Sequence, residues 1–157
     1  MRPTPDRVRE TAFNWLGQTL DGRHCLDLFA GSGALGFEAA SRGAAEVVMV
    51  ENNQSVFRAL QENRNKLDFH NVVLHCANAL EFIRQDKGRY DVVFLDPPFR
   101  NGHLADALAL LTDRLDEDGV VYVEGGEPFK PDGLWETLKH AKAGKVFYQL
   151  LRCAQDD

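Results

Sequence analysis

The run YDVVFL (90–95) leads into Asp96, Pro97, Pro98 and Phe99. Proline fixes the backbone φ and has no N–H to donate. What remains at that corner is a set of acceptors: the Asp96 carboxylate and the carbonyls of the prolines. A rigid surface made only of acceptors suits a ligand rich in N–H donors, such as the exocyclic amine of a nucleobase. Phe99 adds a flat face on which a base can stack, worth ~1–3 kcal/mol. The plainer alternative is a Pro-Pro turn that merely stops a strand, with Phe99 in the core.

A second constellation precedes it. Residues 27–36 read DLFAGSGALG, so Gly31, Gly33 and Gly36 match G-x-G-x-x-G between a strand and a helix. Glycines there let the backbone turn tightly and approach a ligand without a Cβ in the way. Glu51 closes the next strand about 20 residues on, where a carboxylate can accept two ribose hydroxyls. Together these two features point to a nucleoside-bearing cofactor, either a nicotinamide dinucleotide or S-adenosylmethionine. A dinucleotide sets its pyrophosphate on the helix N-terminus. A methionine-bearing cofactor presents an ammonium, which the acid before the glycines, Asp27, would favour. Asn78, two residues past the third strand, can hydrogen-bond an adenine amine or cap the loop.

These groups need elements to position them. A first helix starts with Thr4 as cap, Pro5 and Asp6, and carries Val8, Ala12, Trp15 and Leu16 as its apolar stripe; it frays at Gly17 before Asp21 and Gly22. Strands are predicted at HCLDLF (24–29), EVVMVE (46–51), NVVLHC (71–76), YDVVFLD (90–96) and GVVYVEG (119–125). Helices are predicted at 34–42, 55–67, 79–85 and 103–115. Alternating strands and helices, with strands that are nearly continuously apolar, mean an α/β fold with a doubly wound parallel sheet buried on both faces. The tail, LWETLKHAK then KVFYQLLRC, reads either as helix then strand or as two antiparallel strands around Ala143 and Gly144, with the hairpin favoured. Gly31, Glu51, Asn78 and Asp96 each follow a strand, so they should share the carboxyl edge of the sheet, where such folds bind ligands.

The 157 residues suit one domain. No run approaches the ~18 apolar residues of a membrane span, and the N-terminus MRPTPDRVRE has no apolar signal segment. The chain is read as cytoplasmic, with no membrane partner. Cys25, Cys76 and Cys153 lie far apart, which argues against a disulfide framework or zinc site; Cys25 and Cys76 read as small core residues. The histidines are scattered, and no metal is expected. A net charge of −6 argues against a uniformly basic nucleic-acid face but leaves room for a local patch.

FAGSG with DPPF resembles the S-adenosylmethionine-dependent methyltransferases that modify exocyclic amines. The likeness extends through RPTPDRVRETAFNWL, LDLFAGSGALGFEAASRGA, the Asn78-Ala79 pair and FLDPPFRNG to the bacterial 16S rRNA guanine-N2 methyltransferases of the RsmD type. It implies a Rossmann-like, seven-stranded, mostly parallel sheet with an antiparallel C-terminal strand. It implies cofactor contacts from Asp27, Phe29, Ala30, Gly31, Ser32 and Gly33, from Glu51 and Asn52 to ribose, from Asn78 and Ala79 to adenine, and from Asp96. Asp96, Pro97, Pro98 and Phe99 would hold the target amine. The partner implied is 16S rRNA, within the small ribosomal subunit or an assembly intermediate, met by a monomer. The family usually begins with a basic segment of roughly twenty residues, of the kind that binds nucleic acid. This chain starts at the RPT stretch instead, so weak RNA affinity is expected. Residues 126–145 fit the family only loosely.

Arg7, Arg9 and Arg100 are candidates for phosphate contacts. The same acceptor geometry would also serve adenine N6, cytosine N4 or a glutamine amide. A nicotinamide oxidoreductase and a non-catalytic cofactor-binding assembly module are the readings from other classes.

Overall fold

The computed structural model describes residues 6–97, 103–131 and 133–154. Pro98, Phe99 and Arg100 of the acceptor corner, and the proposed helix caps Thr4 and Pro5, lie outside them. In chain order the elements are α1 (Asp6–Leu16), β1 (His24–Asp27), α2 (Ala34–Ser41), β2 (Glu46–Glu51), α3 (Gln54–Leu67), β3 (Val72–Cys76), α4 (Ala79–Gln85), β4 (Tyr90–Leu95), α5 (His103–Leu111), β5 (Leu115–Gly125), β6 (Trp135–Ala143) and β7 (Val146–Cys153).

The strands form one seven-stranded sheet in the order β3-β2-β1-β4-β5-β7-β6. β1 to β5 pair in parallel, while β7 runs antiparallel to both β5 and β6. The sheet is thus α/β and mostly parallel with a reversed last strand, as the resemblance implies. The hairpin turns at Gly144, whose φ of +59° lies in the left-handed region that glycine adopts most readily.

Helices cover both faces, which is why the central strands are apolar throughout. On one face Val8, Ala12 and Phe13 of α1, Leu35 and Phe37 of α2 and Leu60 of α3 pack on Cys25, Met49, Phe94, Tyr122 and Tyr148. On the other, Ile83 of α4 and Ala107, Leu108 and Leu111 of α5 pack on Leu26, Val48, Val93, Val121 and Leu151. Trp15 stacks on Tyr148 with ring centroids 5.1 Å apart, which ties α1 to the antiparallel end of the sheet.

Several expectations shift. α1 stops at Leu16, and Gly17 (φ +114°) terminates it, donating its N–H to the Phe13 carbonyl. The helix expected to reach residue 115 ends at Leu111, and β5 begins at Leu115 rather than 119. The polar DED segment conceals that start: Leu115 pairs with Tyr90, the register shifts, and Asp118 takes φ +64° before Val120 pairs with Val92. Cys25 is buried as expected, with burial pushing its thiol up to about 12, but Cys76 is exposed because β3 is an edge strand.

Candidate active site

The strand order reverses between β1 and β4, which are neighbours with Asp27 in register with Phe94. A crevice opens beyond the carboxyl ends of strands at such a switch point. Here it is a cleft of about 1070 Å³ lined by the strand ends: Asp27 to Ser32 at the end of β1, Glu51 and Asn52 at the end of β2, Asn78 and Ala79 beyond β3, Asp96 and Pro97 beyond β4, and Glu124 and Gly125 on β5. The predicted edge therefore exists, and it brings Gly31, Glu51, Asn78 and Asp96 together. No strand carries all of these residues; the parallel register aligns them.

The turn after β1 is tied to the end of β2. Ala30 N–H donates to the Val50 carbonyl at 2.9 Å, and Gly31 N–H donates to Glu51 Oε1 at 2.9 Å. Glu51 Oε2 accepts from Asn53 N–H at 2.9 Å. Each oxygen is thus oriented by one backbone donor, and a carboxylate has lone pairs beyond those two for ribose hydroxyls. Asn53 then caps α3, its Oδ1 accepting from Ser55 and Val56 N–H.

The three motif glycines have different tasks. Gly31 (φ +56°) is the one on the cleft wall. Gly33 (φ +88°) is turned inwards, where a Cβ would come 2.3 Å from the Phe37 ring and 2.7 Å from Leu60. Gly36 lets α2 close on β2, with room for no Cβ beside Met49. Neither Gly33 nor Gly36 lines the cleft.

Asp27 is 2% exposed. Burial pushes its carboxyl up to about 7; the backbone N–H of Gly36 opposes this, the Glu51 charge adds to it, the Phe29 N–H opposes it, and the Glu124 charge adds to it. Gly36 is the third residue of α2, so its N–H is one of the donors that a helix start leaves without an intrahelical partner. A carboxylate thus already occupies the positive end of α2, where a pyrophosphate would otherwise sit. With Asp27, Glu51, Asp96 and Glu124 on its walls, the cleft suits a sulfonium and an ammonium and repels a dinucleotide's phosphates. The residues present fit S-adenosylmethionine.

Asn78 is the N-cap of α4, and its Oδ1 accepts from Glu81 N–H at 3.1 Å. One acceptor site is committed to the cap while the residue also lines the cleft. Asp96 and Pro97 are partly exposed on the cleft wall. Arg7 is exposed on α1, and Arg9 pairs with Asp6 (2.8 Å) and approaches Glu38 (3.7 Å); neither is brought to the cleft.

The cleft also has a wall that motif reading passes over: Glu124, Phe129, Phe147 and Gln149, beyond β4 on the side away from Glu51. Tyr122 Oη donates to Glu124 Oε1 at 2.7 Å, and burial, with Glu124 next, holds the Tyr122 hydroxyl well above the usual phenol range. Gln149 Oε1 accepts from Phe129 N–H at 2.9 Å and secures the loop carrying that ring. The sequence holds a signal for Glu124. VVYVE (120–124) ends an apolar run on an acid, as VVMVE (47–51) and VVFLD (92–96) do.

Fold and site together define a Rossmann-like methyltransferase. The chain belongs to the family described as conserved hypothetical protein 95, whose model matches residues 1–152. It is 42% identical over 156 residues to the ribosomal RNA small subunit methyltransferase D of Escherichia coli strain K12, which covers 96% of this chain and 78% of that protein. The solved structure of yhhF, a candidate methyltransferase from Escherichia coli, superposes with a TM-score of 0.87 at 40% identity, over 98% of this chain and 88% of that one. At 13% identity, a candidate methyltransferase of Streptococcus mutans in complex with S-adenosylhomocysteine shares the fold, with a TM-score of 0.76 over 98% of this chain and 100% of that one.

Proposed function

We propose that this methyltransferase transfers the methyl group of S-adenosylmethionine to the exocyclic N2 amine of a guanine in 16S rRNA, in the bacterial cytoplasm. The observation that carries the reading is the opening of Asp96 and Pro97 onto the same cleft as Asp27, Gly31 and Glu51. The relative named as a small-subunit rRNA methyltransferase supports the choice of RNA.

The cofactor supplies an electrophilic methyl carbon on a sulfonium. Glu51 would take its ribose hydroxyls, Asn78 and Ala79 would hold its adenine, and Asp27 would favour its ammonium. The acceptor corner then prepares the nucleophile. A guanine N2 amine is weakly nucleophilic because its lone pair is delocalised into the ring. Asp96 and the Pro97 carbonyl accept its two hydrogens, which turns the lone pair towards the methyl carbon and favours a tetrahedral nitrogen. Once the amine is methylated, with the C–S electron pair left on the cofactor's sulfur, the extra proton on nitrogen would leave through Asp96 to water. Alignment of this kind can contribute ~7–11 kcal/mol to the lowering of the barrier, and a fixed acceptor for developing positive charge adds to it. The base must be unstacked to enter, which favours RNA loops over duplex.

The test is transfer of a labelled methyl group to small-subunit RNA from cells lacking the enzyme, followed by nucleoside identification. N2-methylguanosine supports the reading. N6-methyladenosine or N4-methylcytidine as the labelled nucleoside overturns it.

A further inference from the structure

The cleft is longer than the cofactor half requires. The ends of β1, β2 and β3 carry the cofactor residues, β4 carries the acceptor corner, and β5 and β7 wall what lies beyond. In that second half stands Glu124, 2% exposed and yet on the cleft wall. Its position follows from the register. Leu95 pairs with Val123 across the parallel β4–β5 ladder, so Asp96 and Glu124 each come next after a paired residue. Neighbouring strands lie about 4.8 Å apart. Two carboxylates are therefore presented side by side at the edge where the target amine enters. Tyr122, directly below, fixes the second through a 2.7 Å bond from its hydroxyl to Oε1.

A carboxylate beside an amine clamp adds one more acceptor next to those that take the amine's own hydrogens. The exocyclic amines of the bases differ here. Guanine N2 is flanked by the ring N1–H, a donor. Adenine N6 is flanked by N1 and cytosine N4 by N3, both of which carry lone pairs. A side-chain amide offers no ring N–H. A carboxylate at Glu124 attracts the first and repels the lone pairs of the next two.

We infer that Glu124, positioned by Tyr122, is the specificity-determining residue that accepts the N1–H of the target guanine while Asp96 and the Pro97 carbonyl hold its N2 hydrogens. This rests on the proposed guanine-N2 reading and extends it, by saying what restricts the clamp to guanine. Phe129, anchored by Gln149, lies on the same wall and offers the base a ring face.

The discriminating probe is 2-aminopurine. It keeps the amine at C2 but carries a lone pair at N1. Small-subunit RNA is ligated from synthetic pieces so that the nucleotide methylated by the wild-type protein is either guanine or 2-aminopurine, and single-turnover transfer is measured on each. The wild-type protein should prefer guanine by roughly 10- to 100-fold, the discrimination a well-placed base-edge contact provides. Glu124→Gln, whose amide can donate to the N1 lone pair, should bring that ratio close to one. Tyr122→Phe should lower it part-way. Far-UV circular dichroism of both variants should match the wild-type spectrum, which shows that they fold.

If the wild-type protein makes no N2-methylguanosine, the proposed function falls before Glu124 is reached. If it does, and Glu124→Gln slows both substrates equally with the ratio kept, the role assigned to Glu124 is overturned. Loss of cofactor binding in Glu124→Gln with an unchanged ratio in Tyr122→Phe overturns it as well.

Discussion

Gly31 N–H and Glu51 Oε1 meet at 2.9 Å across 20 residues of sequence. This bond ties the glycine turn to the end of the second strand, so the surface facing the cofactor's sugar is one rigid piece. Glu51→Ala leaves the N–H groups of Gly31 and Asn53 without their acceptor. The expected cost is about 1–3 kcal/mol of stability, read by urea unfolding, together with weaker cofactor binding by calorimetry. Glu51→Gln keeps one acceptor oxygen and should lose less of both. Unchanged affinity in Glu51→Ala would remove this residue from the cofactor site.

Asp96→Ala takes the carboxylate from the acceptor corner and leaves the Pro97 carbonyl. Methyl transfer should fall by about 10²–10³ or more, the loss typical of one preorganised electrostatic contact. Cofactor affinity should fall far less than transfer, since the turn, Glu51 and Asn78 are untouched. Normal turnover on unmodified 30S subunits or 16S RNA would contradict the assignment.

Asp27 gives the protein a pH signature. Its carboxyl titrates at about 7 when folded, above the ordinary value of 3.8, with burial as the main cause. The folded state therefore holds a proton that the unfolded state has released, and stability without cofactor should fall as pH rises from about 4 to about 7. Cofactor binding should run the other way. A cation in the cleft favours the ionised carboxylate, so affinity should rise between pH 6 and 8 with release of a proton. Calorimetry in buffers of different ionisation enthalpy reads that proton. Asp27→Asn should flatten the profile, since no histidine is among the described residues lining the cleft.

The motif glycines should rank by surroundings rather than by place in the motif. Gly33→Ala meets both a positive φ and a Cβ position 2.3 Å from the Phe37 ring, and should cost about 2–5 kcal/mol. At Gly36 the obstacle is the flexible end of Met49, 2.7 Å away. Ala also improves helix propensity there, so a loss of at most about 2 kcal/mol is expected. Thermal melts of the two variants give the order directly; the reverse order would mean that Gly33 is not held as described.

Much of the molecule was legible from local pattern. Unbroken apolar runs such as EVVMVE and YDVVFL are the pattern of parallel strands covered on both faces, and the helices between them follow from 3.6-residue spacing. Those two facts place the carboxyl ends of the strands on one edge, and with them Gly31, Glu51, Asn78 and Asp96. The end of α5 was not legible, because Leu115 belongs to β5 only by pairing with Tyr90 across a bulge. Tertiary structure also separated the glycines, since which of them faces a ligand and which faces Phe37 or Met49 depends on how α2 seats on β2. It raised Asp27 to a near-neutral pKa through burial. And it set Glu124 beside Asp96, a meeting created by the register of two strands whose ends lie 28 residues apart in the chain, which no short motif can encode.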